Sequence, residues 1–286
     1  MTEKLTRVRF TNLGKILYPE IKITKAQVIE YYVKMAPKML GFLADRPAVL
    51  NRFPNGVSEE GFYEKDAPSG TPSWVKIFKK YSESADREIA YILCNDLDTL
   101  VWLGNLAALE VHITPSMAST FESPDFVFFD IDPEPPLGFD DVVNVALMLK
   151  EKLDHLGVRS YTKTSGKKGM HTIIPVKAYT FQQAREFVHE IGRQLAKESE
   201  LVVSEFSRSR EPGTIFIDYL QNSHGRTMIC PYGLRATALA TVSTPLDWGE
   251  VKKGLKPDDF TLFSVVKREK NPWEELLEDR QNLEVS

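Results

Sequence analysis

Two cysteines in 286 residues, Cys94 and Cys230, are too few for a thiolate zinc cluster or a disulfide framework. Each stands alone in an apolar, strand-like setting, which predicts a reducing, cytoplasmic environment. No apolar stretch approaches the roughly 20 residues needed to span a bilayer, so no membrane partner is expected. The N-terminal MTEKLTRVRF is charged and lacks the apolar segment of a secretory signal. Internal repeats, low-complexity tracts and long flexible linkers are absent as well. A surplus of basic charge is also missing: 36 Lys and Arg stand against 40 Asp and Glu, for a net charge of −4. Dedicated nucleic-acid-binding domains usually carry excess Lys and Arg, so this balance speaks against one. Net charge does not report distribution, however, and a basic groove can coexist with acidic ends such as NPWEELLEDRQNLEV. What remains is 42% hydrophobic and 27% charged, an ordinary globular chain. Its length suits one large domain or two closely joined lobes.

Gly and Pro punctuate short elements throughout. Thr24 is placed to cap an amphipathic helix through Leu40. Strands are expected at Ala48–Phe53 and Ile89–Cys94, and Asp96 or Asp98 caps a second helix through Leu109, leading into VHIT. From Phe126 the order is clearer. A strand, Phe126–Asp132, precedes an acidic loop and a helix, Phe139–Leu156, with Gly157 where a left-handed C-terminal residue belongs. A strand Val158–Thr164, the turn SGKKG and a strand Met170–Val176 follow. Thr180 then caps a helix through Lys197, and TIFIDYL supplies a final strand. The order β-α-β-β-α-β is the split βαβ, or ferredoxin-like, arrangement also used by RNA-recognition modules. It places the first strand centrally, with the third and fourth beside it.

The apolar run FVFFDIDP ends in two carboxylates. Side chains alternate along a strand, so Asp130 and Asp132 share the face of Phe126 and Phe128, roughly 6–7 Å apart. From that spacing they can converge on one or two divalent cations; the same pair also suits a polar strand end before an Asp-Pro turn. Asp218, in TIFIDYL, is on the strand that the topology sets next door. Three clustered carboxylates repel one another unless a cation neutralises them, and hard oxygen ligands favour Mg²⁺ or Mn²⁺. The turn TSGKKGMH sets Ser165, Gly166, Gly169 and two lysines between strands, able to offer N–H groups, a hydroxyl and positive charge to a polyphosphate. It lacks the spacing of a Walker A loop and precedes a strand. His171, just inside the next strand, is within reach of the same phosphates or of a nucleotide sugar; a plain hairpin with solvated lysines and a core histidine fits the pattern too. Arg235, in PYGLRAT, has the guanidinium geometry for bidentate phosphate binding. Together these parts describe two cations activating a hydroxyl and holding a leaving pyrophosphate while basic groups neutralise a triphosphate.

FDIDP, TSGKKGMH, IFIDYLQN, PYGLRA and VSTPLDW, in that order, resemble the polymerase domain of bacterial ligase D, of the archaeo-eukaryotic primase superfamily. The resemblance covers nearly the whole chain. It implies an α+β fold with a primase-type catalytic core, in which a ferredoxin-like half is joined to an N-terminal α/β lobe. The implied domain spans 1–286, with a DNA-binding lobe over 1–120, a catalytic core over 121–250 and a C-terminal tail over 251–286 packing on it. The implied activity is template-directed nucleotidyl transfer filling gaps at broken DNA ends in non-homologous end joining, with ribonucleotides preferred and two Mn²⁺ or Mg²⁺ ions. A non-catalytic DNA-end-binding module and a metal-dependent phosphoesterase on DNA ends are the alternatives.

By the same resemblance, Asp130, Asp132 and Asp218 form the metal triad. Ser165, Gly166, Lys168, His171, His112 (in LEVHI), Gln221 and Arg235 form the nucleotide site. NLGKILYP…ITKAQ resembles a pocket for the 5′-phosphate of a downstream strand, through Asn12, Lys15 and Lys25. RFPNGVSEEGFYEKDAP resembles a DNA-contacting segment, with Arg52 at its head and Phe62 and Tyr63 as bases' stacking partners. Without the resemblance, Lys15 and Lys25 read as solvated lysines and Phe62 and Tyr63 as core residues. Adjacent aromatics in a polar loop nevertheless suit base stacking, worth roughly 1–3 kcal/mol per base. One departure stands out: Thr237 occupies the place of a second family arginine, for which Arg226 or a loop lysine would have to compensate. With no ligase or nuclease segment in the chain, a separate DNA ligase and a Ku-type protein are expected partners, alongside 5′-phosphorylated DNA and nucleoside triphosphates. A cytoplasmic, nucleoid-associated location follows.

Overall fold

The computed structural model describes residues 7–83, 85–207 and 210–283. The first six residues of the charged N-terminal stretch and the last three of the tail lie outside them. In chain order the elements are β1 (Ile16–Tyr18), β2 (Ile23–Thr24), α1 (Lys25–Leu43), β3 (Pro47–Arg52), β4 (Phe62–Glu64), β5 (Lys76–Ser82), β6 (Arg87–Leu93), α2 (Leu97–Asn105) and β7 (Ala108–Ile113). They continue with β8 (Phe126–Pro133), α3 (Phe139–His155), β9 (Tyr161–Thr164), β10 (Met170–Pro175), α4 (Phe181–Glu198), β11 (Val202–Val203) and β12 (Ile215–Ile217). The last are β13 (Met228–Ile229), β14 (Pro245–Leu246) and α5 (Leu262–Val265). They divide into two compact units. One draws on 1–114, 227–242 and 261–269, the other on 115–226, 243–260 and 270–286.

In the first unit the strands run β13-β7-β3-β6-β5, with β4 beside β3. Thr24 caps α1: its hydroxyl accepts from Gln27 N while Gln27 Oε1 accepts from Thr24 N, a reciprocal capping box. Val28, Tyr31, Tyr32, Met35, Met39 and Phe42 form the helix's buried stripe. Asp96, not Asp98, caps α2 by accepting from Thr99 N at 2.8 Å. That helix stops at Asn105, short of Leu109, because Ala107 takes a left-handed φ of 56° and Ala108 enters β7.

The second unit carries a sheet in the order β11-β12-β8-β10-β9-β14. Its inner four strands are the fourth, first, third and second of the β-α-β-β-α-β run, the arrangement its pattern predicts. α4 packs on the face of Phe129 and Ile217: Phe129 and Phe187 meet edge-on, and Gly192 lies against Ile217. The opposite face carries Phe128, Asp130 and Asp132. β9 begins at Tyr161 rather than Val158, because the Arg159 backbone instead pairs with the Gln281 side chain, N–H to Oε1 and C=O from Nε2. TIFIDYL is a strand only through Ile217. Asp218 turns the chain, its carboxylate accepting from Leu220 N, and a 3₁₀ turn runs over Tyr219–Asn222. Nor is this strand the last, since β13 and β14 follow it. Trp273, 1% exposed, donates to Thr162 O and holds the tail segment against the second unit.

Candidate active site

Antiparallel pairing aligns side chains across neighbouring strands. His171 lies opposite Asp130 on one side, and Asp218 N donates to Asp130 O at 3.4 Å on the other. His171 in turn faces Lys163, which faces Pro245. A row therefore crosses the sheet opposite α4: Asp218, Asp130, His171, Lys163. Asp132 stands one pleat along from Asp130, opposite Phe216. His171 Nε2 contacts Asp130 Oδ1 at 3.3 Å.

The charges are unequal. Burial pushes the Asp130 carboxyl up, but the hydrogen bond and charge of His171, with Lys163 and Arg210, hold it below the ordinary value. Burial and the Asp130 charge push Asp132 up to about 6. The same two causes raise Asp218. This is the division expected of like charges gathered in a partly desolvated place.

The turn after β9 closes over the acidic end. Ser165 N donates to Gly169 O, and Ser165 Oγ accepts from the N–H groups of Lys167 and Gly169. Gly166 adopts a φ of 75°. At Gly169 a Cβ would sit 2.4 Å from both Asp132 Oδ1 and Ile131 O, so only glycine brings the loop this close. Lys168 Nζ donates to Pro133 O at 3.0 Å and stands 3.6 Å from Asp132 and 3.8 Å from Glu134. Three of the loop's N–H groups are thus spent inside the loop, and Lys168 is the lysine it sets against the acidic end. Gln221 Nε2 donates to Asp218. Asn222 Oδ1 accepts from Phe128 N and its Nδ2 donates to Phe128 O, so this buried side chain completes the pairing of β8 where β12 has ended.

The donor set fits hard divalent cations: Asp130 and Asp132 on β8 and Asp218, just past the end of β12, lie close enough for Asp130 to raise both neighbours, and their repulsion is what such an ion relieves. Among the described residues no three His, Cys, Asp or Glu side chains are yet drawn together closely enough to hold one. Asp130 leans to His171, Asp132 to Lys168 and Asp218 to Leu220 N. Converging on an ion requires these side chains to turn from those partners.

In the first unit, two residues expected at a nucleotide site, Arg235 and His112, meet on a carboxylate the sequence did not single out. Glu110, fully buried, accepts from Arg235 Nε at 3.0 Å and Ala236 N at 3.1 Å through Oε1. Through Oε2 it contacts Asn51 Nδ2 at 3.1 Å and His112 Nε2 at 3.3 Å. Tyr63 lies 5.8 Å from the His112 ring. Phe62 and Tyr63 are 44% and 65% exposed, not core residues, and Arg52 packs over Phe62 while pairing with Glu64 at 2.8 Å. The residue beside Arg235's loop, Thr237, shares its hydroxyl with Thr241 at 2.8 Å. Arg226 falls in the other unit.

Lys25 is buried, against its reading as a solvated lysine, and donates to Asn105 O. Burial, then the positive charges of Lys15 and Arg52, lowers its pKa. Lys15 donates to Asn55 Oδ1, and the Asn12–Lys15 turn is pinned to the start of α1 by Lys25 N to Lys15 O. Asn12 carries the left-handed φ of 52° that asparagine tolerates.

Fold and face together define a mixed α/β protein whose ferredoxin-like sheet bears a carboxylate row opposite its helices. The profile of the LigD primase-polymerase domain matches residues 24–274. The chain is 35% identical over 265 residues to the bifunctional non-homologous end joining protein LigD of Bacillus subtilis, covering 92% of this chain and 42% of that protein. It is 33% identical to the multifunctional LigD of Mycolicibacterium smegmatis, covering 87% of this chain and 33% of that one. The chain thus spans less than half the length of these relatives. Among solved structures, the polymerase domain of Mycobacterium tuberculosis ligase D, in complex with DNA, aligns with a TM-score of 0.86 at 29% identity, covering 96% of this chain and 99% of that one. The chain belongs to the LigD primase-polymerase domain family.

Proposed function

We propose that this chain is a template-directed nucleotidyltransferase that fills gaps at broken DNA ends in non-homologous end joining. The observation that carries the reading is the placement of Asp218, at the turn after β12, beside Asp130 and Asp132 on β8, with the SGKKG turn pressed onto Asp132. The three carboxylates would hold two Mg²⁺ or Mn²⁺ ions, which supply activation of the attacking hydroxyl and neutralisation of the leaving pyrophosphate. Lys168 and Ser165 position phosphate at the same end of the sheet, and His171 fixes Asp130 in place. In the first unit, Glu110 holds His112 and Arg235 as a preassembled phosphate-binding pair, since a guanidinium tied through Nε keeps its orientation. Lys15, Lys25 and Asn12 at the start of α1 suit the 5′-phosphate of a downstream strand, where helix N-terminus and lysine charge act together. Exposed Phe62 and Tyr63 suit base stacking. Ribonucleotide preference, cooperation with a DNA ligase and a Ku-type protein, and a cytoplasmic, nucleoid-associated location complete the proposal. Among the described residues no helix is long and apolar enough to cross a membrane.

Primer extension on a gapped duplex with a 5′-phosphate, Mn²⁺ and ribo- or deoxyribonucleoside triphosphates in separate reactions is the test. Templated addition, faster with ribonucleotides, is expected. A mobility shift without chemistry would mark a DNA-end-binding module instead, and shortened or dephosphorylated ends would mark a phosphoesterase.

A further inference from the structure

The segment around Ser243 takes no part in the reaction proposed above, yet it organises one end of the carboxylate row. Lys163 is fully buried, with 0% of its surface exposed, and its Nζ donates to Ser243 Oγ at 2.6 Å. Ser243 Oγ donates in turn to Thr164 O at 2.8 Å. With its one hydrogen so committed, the hydroxyl meets Lys163 as an acceptor, the polarity an ammonium requires. Thr164 N donates to Thr244 O and Thr244 N to Thr164 Oγ1, both at 3.0 Å, so the seat is locked from both strands.

A buried ammonium is costly and tends to persist where its charge has a use. Lys163 faces His171 in register and sits one strand beyond it from Asp130, roughly 5 Å and 10 Å away along the sheet. Alternation also puts Lys163 on the face of Ser165, at the base of the SGKKG turn.

We propose that Lys163, seated on Ser243, is a positioning charge that favours polyphosphate on this face without touching it. The inference rests on the nucleotide-binding reading of the face. Being buried, this charge is poorly screened by salt, unlike that of Lys168, which is half exposed.

The test is calorimetric binding, with Mn²⁺, of a non-hydrolysable ATP analogue and of AMP to the wild type, Lys163→Gln, Lys163→Met and Lys163→Arg. Both neutral variants should bind the triphosphate about tenfold more weakly, about 1.4 kcal/mol, with AMP affected far less. Lys163→Arg should restore the preference. The Lys163→Gln deficit should persist at high salt, whereas the deficit of Lys168→Ala should shrink. Lys163→Gln keeps a donor for Ser243, which guards the fold. Should it still fail to fold, Ser243→Ala carries the test, with a several-fold loss for the triphosphate alone expected and an unchanged affinity overturning the inference. Equal losses on both nucleotides would mean a purely structural lysine and also overturn it. A wild type that binds no triphosphate overturns this inference together with the proposed function; normal wild-type binding with an unmoved Lys163→Gln overturns this inference alone.

Discussion

Replacing Asp132 by Asn should stabilise the cation-free protein while removing its capacity for divalent ions. Burial and the neighbouring Asp130 charge lift the Asp132 carboxyl from 3.8 to about 6. At about 1.36 kcal/mol per pH unit, that rise corresponds to a penalty of about 3 kcal/mol for keeping the side chain ionised in the fold. Asp132 is 29% exposed and its partner Lys168 is half exposed, so solvent screening reduces the figure to about 1–2 kcal/mol. The sign follows from linkage. The folded state holds the proton more tightly than the unfolded chain, so the penalty is absent below about pH 4, grows through the interval and is complete above about pH 6. Urea unfolding in EDTA should therefore show Asp132→Asn more stable than wild type by about 1–2 kcal/mol at pH 7.5, with the difference vanishing near pH 4. Adding Mn²⁺ should stabilise the wild type and leave the variant unmoved. A variant less stable than wild type at pH 7.5 in EDTA, or equally shifted at both pH values, would refute the electrostatic reasoning.

Gly169→Ala would force a methyl to within 2.4 Å of Asp132 Oδ1 and Ile131 O, so a loss of about 1–3 kcal/mol in thermal unfolding and a collapse of extension activity are expected. Asn222→Ala leaves Phe128 N and O of β8 without their partner; about 2–4 kcal/mol of lost stability should appear in denaturant melts, with Asp218 released alongside. Tyr63→Ala, at a 65% exposed position, should leave the melting temperature alone and weaken single-stranded template binding by about 1–3 kcal/mol in fluorescence anisotropy. Lys15→Ala should lower binding to a 5′-phosphorylated gap while sparing the unphosphorylated one; equal losses would remove its assigned role.

The carboxylate row was legible because its signals are local. FVFFDIDP alternates, so both aspartates fall on one face, and the β-α-β-β-α-β order then sets Asp218 beside them. Thr24, Asp96, Gly157 and Thr180 work through their immediate neighbours, and each marks a helix end in the structure. What stayed hidden depends on distant partners. Glu110 reads as an ordinary strand residue in LEVHI until Arg235, 125 positions later, binds it. Lys163 carries no local signal of burial until Ser243, 80 positions later, accepts from it. Asn222 acts as a surrogate strand for β8, a role with no pattern of its own. The hairpin β5–β6 is only half legible in the sequence, since β5 has no buried residue and therefore no apolar period to find. The early stops of α2 and β12 come from single residues, Ala107 in a left-handed conformation and Asp218 capping its own turn.

That Asp130, Asp132 and Asp218 serve one cation site is tested most directly by Mn²⁺ binding, followed by electron paramagnetic resonance with a non-hydrolysable nucleoside triphosphate present. Asp130→Asn on β8 and Asp218→Asn at the turn after β12 should each abolish the nucleotide-dependent binding seen in the wild type. Unchanged binding by folded Asp218→Asn would contradict the shared site.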